Sequence, residues 1–139
     1  MKSFVALFAV LALGTVIATA AFAAAPRHAS VVIRHEVKHC HAWSLGSGPF
    51  AARIDTKLAV GGSITFKNID VMPHRLIEKS GPHAVFAGSP SMSHMAASVK
   101  VTFPRAGTYR FTTKAGEDYM AGVKTIGEDN VLALTVTVR

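Results

Sequence analysis

Beyond residue 30 the hydrophobic positions recur every second residue, and no stretch sustains a helical period. Val31, Ile33 and Val37 share one face with His35, against Arg34 and Glu36 on the other. Ala52, Ile54, Thr56 and Leu58 alternate in the same way with Arg53, Asp55 and Lys57. The pattern returns at Ile64 and Phe66, at Val99, Val101 and Phe103, and at Tyr109 and Phe111. It is clearest at Leu132, Leu134, Val136 and Val138. A further strand is expected from His74 to Lys79, and a weak one over 84–87. Turn signals at Val60-Gly61-Gly62, Ser80-Gly81-Pro82 and Pro104-Arg105-Ala106-Gly107 separate these segments. Seven or eight short strands at this spacing predict an all-β, antiparallel-rich sandwich without repeats or linkers.

The first residues follow another rule. An almost uninterrupted apolar run from Phe4 to Ala25 follows Lys2 and closes on Ala21-Phe22-Ala23. This is the order of a secretory signal, an apolar helix over 1–23 removed after Ala23 to leave a domain over 24–139. Left uncleaved, a run of about 20 apolar residues would instead serve as an anchor. Cleavage implies a periplasmic or secreted protein with no stable membrane insertion afterwards.

Charge and cysteine content narrow the partners. The 139 residues carry 15 Lys+Arg against 8 Asp+Glu, a formal charge of +7, which favours anionic partners or membrane surfaces. The basic residues are scattered and not interleaved with aromatics, so nucleic acid is not expected. The chain has one Cys, which in an oxidising compartment has no internal disulfide partner.

If successive strands reverse, the loops 38–50, 69–74, 88–97 and 114–130 share one end, and short turns close the other. The long-loop end gathers Cys40, Met72, Met92, Met95 and Met120, with His39, His41, His74 and His94, whereas His28, His35 and His83 fall elsewhere. Thiolate, thioether and imidazole together form a ligand set that copper accepts in either oxidation state. Zinc has little use for Met, and calcium and magnesium need oxygen cages.

The stretch Val60-Gly61-Gly62-Ser63-Ile64-Thr65-Phe66-Lys67-Asn68-Ile69-Asp70-Val71-Met72-Pro73-His74 resembles the glycine turn, strand and N-x-D-x-x-P-H corner of the cupredoxin family. Phe103-Pro104-Arg105-Ala106-Gly107-Thr108-Tyr109-Arg110-Phe111 resembles the strand that leads to that family's ligand loop. The resemblance covers most of residues 30–139 and implies a Greek-key β-sandwich that binds copper. It makes His74 the first copper ligand and puts Met120 near the axial position. Thr113 stands where the family has its Cys, and no Cys or His precedes Met120 in the loop from Lys114.

Two expectations follow. In one, the thiolate has moved to Cys40, completed by His41 or His39, by His94, and by a carboxylate from Glu117 or Asp118. The protein then carries single electrons or delivers copper to a redox or delivery partner. In the other, the sandwich holds no metal and binds protein or glycan, with Trp43 and Tyr119 as anchors or merely a lid over the core. An enzyme is not expected: Cys40 and His41 are neighbours rather than a facing nucleophile and base, and no nucleophile elbow or phosphate loop is present.

Overall fold

The computed structural model describes residues 24–36, 40–115 and 132–139, with Glu36 and Cys40 described through their backbone alone. The segment 1–23 expected as a signal, His39, Glu117, Asp118, Tyr119 and Met120 lie outside the described residues. Ten strands follow in chain order: β1 (His28–Glu36), β2 (Cys40–Leu45), β3 (Arg53–Leu58), β4 (Ser63–Asn68), β5 (His74–Ser80), β6 (Val85–Ala87), β7 (Ser91–Met92), β8 (Ser98–Thr102), β9 (Gly107–Ala115) and β10 (Ala133–Val138). No helix occurs among the described residues.

The strands form two five-stranded sheets, ordered β2-β1-β4-β8-β6 and β3-β10-β9-β5-β7. Both are mixed, because β1 runs parallel to β4 and β10 parallel to β3 while the other pairs are antiparallel. The expected sandwich therefore stands, with a parallel pair in each sheet. Alternation decides the core: Val31, Ile33, Ile64, Phe66, Val99, Val101, Tyr109, Phe111, Leu134 and Val136 meet between the sheets, fully or almost fully buried. Phe103 packs edge-on against both Tyr109 and Phe111, at centroid distances of 5.0 and 5.9 Å.

Two segments depart from the sequence reading. The loop expected over 38–50 contains β2, which pairs with β1 from Glu36↔Cys40 to Val31↔Leu45. His41, Ala42, Trp43 and Ser44 are buried in succession, so β2 has no alternation to betray it. Trp43 is consequently a core residue, neither an exposed anchor nor a lid. Residues Ser91 and Met92 form a two-residue edge strand on β5, and Met92 is wholly buried in the core rather than offered from a loop.

Candidate metal centre

The site begins with Asn68, the last residue of β4 and fully buried. Its side-chain amide donates to the Met72 carbonyl at 2.8 Å, with longer contacts to the carbonyls of Met92 (3.3 Å) and His94 (3.4 Å). Its Oδ1 accepts the Asp70 N–H at 2.8 Å, and Asp70 Oδ1 accepts the Met72 N–H at 3.0 Å. Two consecutive Asx turns thus reverse the chain after β4. Pro73 holds the residue before it out of the helical region, and His74 enters β5 as its first residue.

This corner leaves Asp70 Oδ2 facing inward. It accepts hydrogen bonds from His41 Nδ1 at 2.8 Å and His74 Nε2 at 3.1 Å, and both contacts are buried. An ionised carboxylate only accepts, so these two nitrogens carry the protons and both tautomers are set. Burial raises the Asp70 pKa, but the Met72 amide, the His74 and His41 hydrogen bonds and the charge on His74 together leave it below its ordinary value of 3.8. The two rings stand edge to face, with centroids 4.7 Å apart.

A third imidazole comes from β1. His35 is the cross-strand partner of His41, and the rings meet edge-on at 5.8 Å. His35 is exposed, whereas His41 and His74 are buried. Among the described residues, His35, His41 and Asp70 each offer a donor atom, all within 4.8 Å of one another. Donors sharing one ion at about 2.0–2.2 Å stand no more than about 4.4 Å apart. A slight contraction therefore brings this group to bonding distance, and the residues fit a metal. Imidazole with carboxylate suits Cu(II) or Zn(II), and Cu(II) binds such donors most tightly of the divalent first-row ions.

Of the residues singled out by sequence, His41 and His74 are brought together. Cys40 opens β2 beside His41 and opposite Glu36 in register. His94 is in the loop tethered to Asn68, but it is exposed and its Nδ1 donates to the Met95 carbonyl at 2.9 Å. Met120 lies outside the described residues. His35, set aside in the sequence, belongs to the cluster because the β1–β2 register places it opposite His41. Asp70 was visible only as part of the N-x-D-x-x-P-H corner. Thr113, in the family's Cys position, is half-buried and paired with Leu76.

Fold and cluster together define a two-sheet β-sandwich with a histidine–carboxylate centre at one end. Among solved structures the chain is similar to a purple cupredoxin from Nitrosopumilus maritimus, with 17% identity over 80% of this chain and 99% of that one, TM-score 0.44. It is also similar to a methionine-to-alanine mutant of amicyanin in the Cu(I) form, with 17% identity over 79% and 82%, TM-score 0.42. A cysteine protease inhibitor from Entamoeba histolytica scores alike, with 10% identity over 82% and 99%, TM-score 0.44. Copper proteins and an inhibitor thus match to the same degree, and the likeness does not choose between functions. No protein-family model matches the chain, and no curated protein matches it in sequence.

Proposed function

We propose that this is an exported copper-binding protein that captures the ion at His35, His41, Asp70 and His74 and hands it to a delivery partner. One observation carries the reading: a buried carboxylate bonded to two imidazoles has a third, exposed imidazole within coordinating reach. The buried groups hold position while His35 gives access from solvent, an arrangement that favours exchange. The ion, when bound, supplies a Lewis-acidic and redox-active centre. The chain's own part is to orient donors, and Asp70 fixes the ring nitrogen that each buried histidine presents. The protein acts by binding rather than catalysis.

Copper titration of the exported protein tests this. About one equivalent should bind, and His41→Ala and His74→Ala should each weaken binding at least about tenfold while keeping the strand-rich far-UV signal. Trp43, two residues beyond His41 and the single Trp of the chain, should report binding by quenched fluorescence. Absence of uptake would leave the cluster a structural hydrogen-bond network and favour a metal-free module that binds protein or glycan.

A second reading, one-electron transfer, is favoured by the place of Cys40 at the head of β2. It requires thiolate ligation by Cys40, with Met120 and His94 as further candidate ligands. Bound Cu(II) would then show a sulfur-to-copper charge-transfer band that Cys40→Ser abolishes. An unchanged spectrum and affinity in Cys40→Ser leaves handover as the function.

A further inference from the structure

The outward face of the second sheet is strongly cationic. Register places the exposed side chains of Arg53 and Lys57 on β3, Arg110 and Lys114 on β9, and Arg75 on β5 together on that face. Between them β10 contributes only Ala133, Thr135 and Thr137. Among the described residues, Asp55 is the one carboxylate on this face, and none of the five cations is engaged in an ion pair.

Arg75 and Lys114 are direct cross-strand partners. Like charges in that position destabilise a sheet, so this pair does not serve the fold. Both also border an open groove of about 520 Å³, lined besides by Leu76, Ile77, Phe86, Pro90 and Glu78, whose carboxylate accepts the Ala84 N–H.

The geometry separates a planar from a compact partner. From β3 to β5 the cations cover three strand spacings, roughly 14 Å, and positions four residues apart along a strand are about 13 Å apart. The middle of the face is made of the short side chains Ala133, Thr135 and Thr137, and none of them is a bulky anchor of the kind that centres a protein interface. Five cations against Asp55 among the described residues spread positive charge along this face, which matches a surface whose negative charge is also spread. We propose that this face docks the protein on an anionic phospholipid bilayer, lying against the headgroups without insertion, with the paired Arg75 and Lys114 side chains as its densest positive charge. The proposal is independent of metal binding.

Flotation of the exported protein with vesicles tests it. The protein should partition onto vesicles of equal parts phosphatidylglycerol and phosphatidylcholine, not onto phosphatidylcholine alone. Partitioning should disappear in 1 M salt, where the screening length is about 3 Å. The double substitution R75Q/K114Q should lower the partition coefficient about 30-fold, about fivefold per cation. On the other sheet's outward face, K67Q/K100Q removes the same charge from exposed positions and should change it less than about threefold. All four positions are exposed, and far-UV spectra verify the fold of each variant. Equal partitioning onto neutral vesicles overturns the proposal, as does an equal loss in the two double variants, which would reduce it to net charge. Binding to soluble polyaspartate or heparin without binding to anionic vesicles also overturns it, in favour of an acidic macromolecule.

Discussion

The two ends of the sandwich are closed by different means. At the end opposite the histidines, short turns close mainly on glycine and backbone, with the Tyr109 hydroxyl and the Glu78 carboxylate, which accepts the Ala84 N–H, in support. Gly61 donates to the Phe103 carbonyl at 2.8 Å, and Tyr109 Oη donates to the Arg105 carbonyl at 2.9 Å. Gly107, at φ 144°, passes so near Pro82 that a Cβ would lie 2.7 Å from its ring. At the histidine end, Asn68 and Asp70 satisfy the turning backbone through side chains, and His41 and His74 are buried with them. Tight backbone turns need no buried polar side chains. An end that buries two imidazoles on a carboxylate carries polar groups beyond what the turn requires, which is why the chemistry is assigned there.

The contrast can be broken from either side. Asn68→Ala should have the largest effect, about 3 kcal/mol, because the Asp70 N–H and the carbonyls it serves lose buried partners together. The urea midpoint should fall with the slope unchanged. Gly107→Ala should cost about 2 kcal/mol through backbone strain and the Pro82 clash, with any copper uptake at the histidine cluster unaffected. Tyr109→Phe should cost about 1 kcal/mol. Combined with Asn68→Ala, its effect should add to within about 0.5 kcal/mol, since the two ends share no partners.

The gentlest probe is pH, and it reads the histidine end through Asp70. The Asp70 pKa is lower in the folded protein than its ordinary 3.8, so its contribution is fully present above that value. It is lost as pH falls through the lower, folded value. Acid titration of stability should show this loss below pH 3.8 in the wild type and not in Asp70→Asn, and the two curves should run parallel near neutrality.

Much of this was legible in the chain, for reasons that differ by element. Leu132, Leu134, Val136 and Val138 announce a strand because water covers one side of it, and all four are buried. β2 was hidden because four successive residues are buried, which erases the period, and β7 because two residues cannot express one. The corner from Asn68 to His74 was visible as spacing, but Asp70 read as a turn residue. Its second oxygen meets His41 only through a pairing between distant strands. His35 in turn sat in line with Val31 and Ile33, as a packing residue would, and its role depends on a register that local sequence does not encode.

The position of β10 has a consequence for biogenesis. Residues 133–138 lie between β3 and β9, and β3 pairs with no other strand of its sheet among the described residues. In a nascent chain β3 therefore has no sheet partner until residues 133–138 have left the ribosome. That edge of the sheet closes late, since contacts so far apart in sequence form slowly. Until then β3 is an unpaired strand, open to pairing with another chain.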